Sequence, residues 1–330
     1  MGVHMKIGIV ISGGDSSGIN NFIFQVARLS SADITIFNGG IHGLLSGNKI
    51  EVSYRDLIDY SISSMPIISS GRSERYLNQG EYQQIAARLK KEKIEVLILA
   101  GGDGSMKFLH KLSLHGVNCF GVGMTVDNDL DGSEYTIGFS TACEQVLHEV
   151  TKLRNTGRAL PNRVFLVEVL GAYCGELTLQ SAIKSNSDFA LIPEHHIPIE
   201  DLARRVQEKL AIQNSVIILC AESYTHEYIP GFQGAINTVA EKLEPLIGIR
   251  TRKTTLGFGL RNGCPTTEEI YQGTIAASEV VRCIKSGMAN KVIVINSSNK
   301  PIPVDLDTME NRVIDKDGHY FKLAQQLGII

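Results

Sequence analysis

Short, almost continuously apolar runs alternate with longer amphipathic stretches along nearly the whole of this 330-residue chain. Apolar runs of this kind predict strands that are buried on both faces, as in a parallel sheet. The alternation of strands and helices implies a three-layer αβα fold, and the length leaves room for two domains. The predicted strands are 6–11, 34–37, 96–100, 119–122, 164–169, 190–193, 216–220 and 291–295. The predicted helices are 19–29, 81–91, 106–114, 141–154, 177–183, 199–211, 235–246 and 268–285.

The composition excludes several classes of protein. With 32 basic and 35 acidic side chains, the net charge of -3 gives no polyanion-binding surface, so no nucleic-acid partner is expected. The six cysteines form no closely spaced pairs, which favours a reducing cytoplasm over a disulfide framework. No apolar run reaches transmembrane length and no signal peptide opens the chain, so no membrane partner is expected. Small-molecule ligands are the predicted partners.

Three modules place glycines beside an aspartate at the ends of predicted strands: 12–18, 101–105 and 123–132. Paired glycines let a backbone approach a ligand closely, and the next helix directs free N–H groups at the same point, which suits phosphate. A carboxylate there is repulsive unless it binds a divalent cation or accepts a proton from an attacking hydroxyl. One such module is weak evidence, since a capped strand-to-helix turn has the same residues. Together the three predict metal-assisted phosphoryl transfer.

Five sequence motifs follow one another along the chain: SGGDSSGIN, AGGDGS, TVDNDLDGSEYTIGFSTA, VEVLGAYCGELTL and TTLGFGLRNG. In sequence and approximate spacing they resemble the bacterial ATP-dependent 6-phosphofructokinases, from about Lys6 to beyond Ile295. The resemblance implies two Rossmann-like domains with mostly parallel sheets. The expected phosphoryl-donor domain is 1–140 plus about 258–304, and the expected acceptor domain is 141–257 plus about 305–330. The implied reaction is Mg²⁺-dependent transfer from ATP to fructose 6-phosphate, giving fructose 1,6-bisphosphate in glycolysis.

The resemblance also assigns roles to individual residues. Asp127 is the expected general base, with Thr125 and Asp129 beside it, and Asp103 is the expected Mg²⁺ ligand. The expected donor-binding residues are Gly13, Arg72, Ser73, Gly102, Asp103, Gly104 and Ser105. The expected acceptor-binding residues are Thr125, Asp127, Arg163, Leu170, Gly171, Ala172, Glu222, Arg252, Phe258 and Arg261. In the family, two of the arginines reach in from a neighbouring subunit, which implies a homodimer or homotetramer with shared sites.

Departures from the family pattern leave the substrates open. Ala172 stands where the family usually has arginine, and Phe258 where it usually has histidine, so two groups that bind phosphate are absent. Gly104 is typical of ATP users, whereas Met124 and Phe108 replace smaller residues and either alter the donor site or simply fill the core. Three alternatives therefore remain: another small hydroxyl acceptor, pyrophosphate as donor, or a catalytically weak paralogue that regulates a partner. Allosteric control also remains open, because Arg154 stands without the family's other basic effector residues.

Overall fold

A computed structural model of the chain describes residues 5–71, 77–225, 234–309 and 312–330. Its strands, in chain order, are β1 (Lys6–Ile11), β2 (Asp33–Phe37), β3 (Lys49–Val52), β4 (Val96–Gly101), β5 (Cys119–Gly123), β6 (Arg163–Val169), β7 (Phe189–Leu191), β8 (Ser215–Ala221), β9 (Arg252–Thr255), β10 (Lys291–Ile295) and β11 (Pro301–Asp305).

Its α-helices are α1 (Ile19–Ser30), α2 (Gly40–Ser46), α3 (Gln79–Lys91), α4 (Asp103–Ser113), α5 (Phe139–Ala159), α6 (Glu176–Lys184), α7 (Ile199–Leu210), α8 (Ala235–Ile247), α9 (Thr267–Lys285) and α10 (His319–Gln326). None of the helices within the described ranges is long and apolar enough to cross a lipid bilayer. All six cysteines are free thiols, of which only Cys264 is exposed.

The chain divides into two compact units. Unit 1 comprises Met1–Thr125, Leu130–Thr141 and Arg261–Asn311, and unit 2 comprises Val126–Asp129, Ala142–Leu260 and Arg312–Ile330. The boundary between Thr125 and Val126 therefore falls inside the predicted catalytic segment. The predicted assignment of donor and acceptor roles to two domains stays a prediction.

Unit 1 is built on a seven-stranded sheet in the order β11-β10-β5-β4-β1-β2-β3. The central strands pair in parallel, and only the two edge pairings, β2 with β3 and β10 with β11, are antiparallel. Helices α1 and α9 supply apolar side chains to the core on one face of the sheet, and α2, α3 and α4 supply those on the other. Burial on both faces explains why the central strands are almost wholly apolar.

Unit 2 contains a four-stranded sheet in the order β7-β8-β6-β9, and every pairing in it is parallel. Side chains of α7 and α8 form one core cluster with alternate residues of β6 and β8. Helix α6 contacts β7 and β8. As in unit 1, the strands that carry the core end in polar or glycine-containing loops at their carboxyl ends.

The structure confirms the predicted αβα class and all eight predicted strands, with ends that shift by one or two residues. The eight predicted helices are also present. The sequence missed β3, β9 and β11, which lie at sheet edges and are largely exposed. An edge strand has no second neighbour and little apolar surface to bury, so its residues lack the apolar pattern on which strand prediction depends.

Candidate active site

The carboxyl ends of β1, β4 and β5 meet at one edge of the unit 1 sheet, because these three strands are adjacent and parallel. The Ser12 N–H donates to the Ala100 carbonyl at 2.9 Å, which joins the first glycine module to the second. The Met124 N–H donates to the Gly101 carbonyl at 2.9 Å, which joins the second module to the third. The structure thus brings together three modules that are spread over residues 12–132, as expected for ligand sites in open α/β sheets.

The glycines at this edge serve two different purposes. A Cβ at Gly101 would lie 2.5 Å from both the Ser105 hydroxyl and the Ser12 carbonyl, so this glycine permits close packing of the loops. By contrast, a Cβ at Gly13, whose φ is 101°, or at Gly104 would meet no atom within 4 Å. These two glycines border open space next to backbone N–H groups, which is the arrangement that phosphate needs.

Asp103 is the first residue of α4, directly after Gly102. Its Oδ2 accepts from Lys107 Nζ at 2.7 Å, whereas its Oδ1 is buried and has no hydrogen-bond partner. An orphaned carboxylate oxygen beside the open space at Gly104 fits a hard divalent cation such as Mg²⁺. Across the described ranges, no group of three or more His, Cys, Asp or Glu side chains could hold a metal. A cation at Asp103 would therefore depend on substrate phosphates and water for its other ligands, as Mg²⁺ commonly does.

Arg261 lies in unit 1, where an added Cβ at Gly14 would overlap its guanidinium. The sequence grouped this arginine with Arg163 and Arg252 as an acceptor-phosphate residue. The structure places Arg261 against the β1–α1 glycine loop of unit 1, whereas Arg163 and Arg252 belong to unit 2. The predicted acceptor role of Arg261 stays a prediction.

Met124 and Phe108, which left the identity of the donor open, both pack into the core of unit 1. Met124 is 2% exposed and belongs to the core on the α1 and α9 face of the sheet. Phe108 belongs to the core on the opposite face and stacks on Tyr82 with ring centroids 5.5 Å apart. Their size is therefore explained by packing, and neither side chain indicates a change of donor.

Thr125 lies at the end of unit 1, and its carbonyl accepts from the Thr136 hydroxyl at 2.7 Å. Asp127 and Asp129 follow in unit 2 and are both half-buried. The carbonyl of Asp129 accepts from the Arg312 N–H at 2.8 Å. The predicted catalytic segment is thus attached to both units through its own backbone.

Glu222 follows β8 and is the central carboxylate of the unit 2 edge. Its Oε1 accepts from the N–H groups of Ala172 at 2.9 Å and Gly171 at 3.2 Å, in the loop that follows the neighbouring strand β6. Burial raises the pKa of Glu222, the Ala172 and Gly171 N–H groups oppose that rise, and the negative charge of Asp127 adds to it. The structure therefore brings Asp127, Glu222, Gly171 and Ala172 together.

The loop after β6 is a tight turn in which the Cys174 N–H donates to the Gly171 carbonyl at 2.9 Å. Leu170 is buried, and Ala172 adopts a φ of 50°, in the left-handed region. The loop itself supplies no cation, and the Ala172 N–H is already used by Glu222. Ala172 therefore offers nothing that substitutes for the arginine that the family pattern would place there.

Arg163 and Arg252 lie at the amino-terminal ends of strands in the same sheet, whereas Glu222 follows the carboxyl end of β8. Arg163 begins β6 and Arg252 begins β9, and the two strands run parallel with Arg252 opposite Phe165. Glu222 lies beyond the far end of β8, so the length of β6, roughly 20 Å at 3.3 Å per residue, separates the Arg163 backbone from it. Arg252 is opposite Phe165, and its backbone is roughly 13 Å from the same end of β6 at that rise per residue. Within one chain, both arginines therefore begin at the end of the sheet away from Glu222.

The remaining predicted residues are less informative. Phe258 lies in the short 3-10 helix Gly257–Leu260 and is 69% exposed. Arg72 and Ser73 lie outside the described residues, so their predicted donor contacts stay a prediction.

Two further residues with long-range contacts were not predicted as site residues from the sequence. Glu269 follows the helix cap Thr266 by three residues, which reads as a capping-box glutamate. Its carboxylate instead accepts from the Gly138 N–H at 2.6 Å and the Thr141 N–H at 3.1 Å, and so braces the start of α5. Arg312 lies in a stretch with no motif at all.

In unit 1 the parallel strands end in glycine loops beside the orphaned Asp103 oxygen, and in unit 2 Asp127 and Glu222 lie together. These features are typical of an α/β enzyme that transfers phosphoryl groups. The phosphofructokinase family model matches residues 6–284. The chain belongs to the phosphofructokinase family, whose members are kinases.

Relatives of similar length support this assignment. The chain is 32% identical over 310 residues to a probable ATP-dependent 6-phosphofructokinase of Mycoplasma pneumoniae, covering 93% of this chain and 92% of the relative. It is 31% identical over 329 residues to an ATP-dependent 6-phosphofructokinase of Natranaerobius thermophilus, covering 98% of this chain and 99% of the relative.

Solved structures establish the fold. The structure of a pyrophosphate-dependent phosphofructokinase from Marinobacter aquaeolei matches with a TM-score of 0.83 at 17% identity, covering 98% of this chain and 91% of that one. The Saccharomyces cerevisiae phosphofructokinase matches with a TM-score of 0.81 at 24% identity over 92% of this chain. The matched region spans 45% of that longer chain. The predicted phosphofructokinase fold is confirmed.

Proposed function

We propose that this chain is an ATP-dependent 6-phosphofructokinase, which transfers the terminal phosphoryl group of ATP to a hydroxyl of fructose 6-phosphate. The observation that carries the proposal is the meeting of three glycine-carboxylate modules at the β1, β4 and β5 ends, in a chain of this family. The names of the full-length relatives support ATP as the donor and fructose 6-phosphate as the acceptor.

The donor phosphates would bind at the unit 1 edge. Gly13 and the Gly102–Ser105 loop would approach the phosphates with backbone N–H groups, and Arg72 and Ser73 would add to this site. The open space at Gly104 supports ATP over pyrophosphate, because no acidic side chain stands there to repel an additional phosphate. The position of Arg261 over Gly14 supports a second role for this arginine, neutralising charge near the donor loop.

Asp103 would hold Mg²⁺ through its orphaned Oδ1. A bound Mg²⁺ neutralises charge on the transferring phosphoryl group.

Asp127 would take the proton from the attacking sugar hydroxyl, with Thr125 and Asp129 holding the segment around it. The negative charge of Asp127 adds to the rise in the pKa of Glu222, so the two carboxylates are close enough to influence each other. Glu222 itself would accept a hydrogen bond from another sugar hydroxyl, while the Gly171 and Ala172 N–H groups fix its orientation. Positioned proton transfer of this kind contributes a factor of about 10²–10⁴ to the rate.

Arg163 and Arg252 would bind the acceptor's own phosphate in a neighbouring subunit, as part of a homodimer or homotetramer. Their position at the amino-terminal ends of β6 and β9 supports this, because Glu222 follows the opposite end of the sheet within one chain.

Subunit mixing tests whether the sites are shared. Arg163→Ser and Asp127→Asn should each be almost inactive alone, and a refolded mixture should regain up to about a quarter of parental activity if two-fold pairs share sites. A mixture as inactive as its components would contradict sharing.

The experiment that tests the overall function is a kinase assay with fructose 6-phosphate, run in parallel with ATP and with pyrophosphate. Other sugar phosphates, sugars, nucleosides and cyclitols form the comparison panel. We expect ATP with fructose 6-phosphate to give the highest kcat/KM. A better rate with another acceptor would establish the alternative that Ala172 and Phe258 leave open, and a better rate with pyrophosphate would overturn ATP as donor. Absence of turnover with every pair would favour a regulatory paralogue.

A further inference from the structure

Arg312 links the predicted catalytic segment to the start of α6. Its backbone N–H donates to the Asp129 carbonyl at 2.8 Å, and its guanidinium Nη2 lies 3.6 Å from Glu176 Oε1. The Arg312 side chain is 15% exposed and that of Glu176 only 2%. All three residues belong to unit 2. One residue therefore attaches Asp129 by its main chain and α6 by its side chain.

The surroundings of this link are strongly acidic. Cys174 lies among Glu194, Glu176 and Asp129, whose negative charges add to burial in raising the pKa of the thiol. Glu194 accepts from the Gly175 N–H at 3.0 Å, and Glu176 accepts from Gln180 Nε2 at 2.6 Å. Three carboxylates in a half-buried region repel one another unless a cation lies among them. The guanidinium of Arg312 is a cation in contact with this cluster.

We propose that Arg312 is a positioning residue for the Val126–Asp129 segment, which it fixes to α6 while its charge compensates the surrounding carboxylates. The proposal rests on the proposed kinase function only for its effect on turnover. Asp129 is two residues from Asp127, so loosening of the Asp129 carbonyl would move the general base. A misplacement of about 1 Å is enough to reduce the rate of an oriented reaction by about 10²-fold.

Three variants of the full chain separate this role from simple stabilisation. Arg312→Met removes the charge while keeping a long side chain, and Arg312→Lys keeps the charge. Arg204→Met is the matched control, because Arg204 also pairs with carboxylates in unit 2 but on the exposed surface of α7. A fourth and fifth variant, Glu176→Gln and its combination with Arg312→Met, test whether the guanidinium acts through Glu176.

The first measurement is amide hydrogen exchange in peptides that cover residues 126–130 and in the peptide that contains residue 312, whose N–H donates to the Asp129 carbonyl. This measurement needs no enzymatic activity. We expect Arg312→Met to speed exchange there by about tenfold or more, because local opening becomes easier. Arg312→Lys should recover most of the protection, and Arg204→Met should match the parent. Adding Glu176→Gln to Arg312→Met should change exchange little further, because both substitutions break the same contact. Unchanged exchange in Arg312→Met, or additive effects of the two substitutions, would overturn the proposal.

The second measurement is the division of the kinetic effect between kcat and KM. We expect Arg312→Met to lower kcat by about 10- to 100-fold, with KM for the nucleotide nearly unchanged because the glycine loops belong to unit 1. A fall in activity that only follows the folded fraction would contradict a positioning role. If the parent protein turns over no acceptor, the proposed function fails, while the exchange measurement still decides the role of Arg312.

Discussion

The carboxyl ends of the strands present different kinds of groups in the two units: mainly backbone in unit 1 and mainly side chains in unit 2. In unit 1 the edge consists mainly of backbone: glycines that border open space, N–H groups at the start of α4, and a single orphaned carboxylate oxygen. In unit 2 the edge consists of side chains, with Glu222 holding the β6 loop and Arg312 linking Asp129 to Glu176. The first is suited to a ligand that presents many acceptor oxygens, and the second to a ligand that presents hydroxyl groups.

This difference indicates where side-chain substitutions are tolerated. A backbone site depends on glycines and on the sheet, so side-chain changes around it, such as Met124 and Phe108, are absorbed by the core. A side-chain site changes its chemistry with every substitution. The departures that bear on substrate, Ala172 and Phe258, both lie in unit 2. We therefore expect the donor to follow the family and the acceptor to be the variable partner.

The largest expected effect belongs to Asp127, the proposed general base in unit 2. Asp127→Asn should lower kcat by about 10²–10⁴-fold, with substrate binding nearly unchanged, because only proton removal in the transition state is lost. Asp131→Asn is the matched control, since Asp131 is an exposed carboxylate in the same motif. Steady-state kinetics and ligand titration measure both. A variant within about tenfold of the parent, a difference of ~1.4 kcal/mol, would exclude Asp127 as the base.

Substitution of Asp103, the carboxylate at the strand ends of unit 1, should change the Mg²⁺ requirement of the enzyme. Asp103→Asn should raise the Mg²⁺ concentration needed for half-maximal activity by more than the roughly 10–100-fold that is typical for loss of an outer-shell partner. Lys107→Met is the control, because it removes the ion pair to Oδ2 and leaves the carboxylate in place. Magnesium titrations of nucleotide binding and of activity provide the measurement. Identical titration curves for Asp103→Asn and the parent would show that the cation binds elsewhere.

Restoring the two missing phosphate-binding groups tests whether unit 2 has diverged in its acceptor. One charged hydrogen bond to phosphate contributes ~1.5–3 kcal/mol, so Ala172→Arg and Phe258→His should each raise kcat/KM for fructose 6-phosphate by about one to two decades. Ala172 already has a φ of 50°, so arginine there adds no new backbone strain. Ala172→Gly is the control for loop conformation and should leave kcat/KM unchanged. A parent with kcat/KM above ~10⁵ M⁻¹s⁻¹ would already contradict a diverged acceptor site.

The smallest expected effect on turnover is that of Glu269. This residue should instead affect how the free energy of unfolding depends on pH. Burial raises the pKa of Glu269 from 4.5 to about 7, against the hydrogen bonds that it accepts from Gly138 and Thr141. The folded state then binds more protons than the unfolded state between these values. The stability from this protonation is full below pH 4.5 and is lost as pH rises through about 7, by roughly 3–4 kcal/mol at 1.36 kcal/mol per unit.

Denaturant unfolding from pH 4.5 to 8 measures this dependence. We expect Glu269→Gln to flatten the decline in the free energy of unfolding, because the substituted side chain does not ionise. Glu268→Gln, at the exposed neighbouring position, should leave the decline as in the parent. An equal slope in Glu269→Gln and the parent would assign the pH dependence to other groups, such as the buried Glu222.

The sequence predicted the fold because local patterns carry most of the information about it. Two-face burial made the central strands apolar, and this pattern located eight of them. The same logic located the unit 1 edge: the glycine modules are contiguous in sequence, and adjacent parallel strands bring their carboxyl ends together. The edge strands β3, β9 and β11 were missed because exposed strands lack that apolar pattern.

The sequence by itself determined the αβα class, and it located the three glycine modules and the carboxylates of the predicted catalytic segment, since each depends on residues close together in the chain. Only the tertiary structure decided the partners of the long-range side chains. Arg261 came to lie over Gly14, Glu269 braced α5, and Arg312 joined Asp129 to Glu176. These contacts join residues 130 to 250 positions apart or lie in stretches without a motif. Their partners are chosen by burial and charge compensation in the folded chain, which no local pattern encodes.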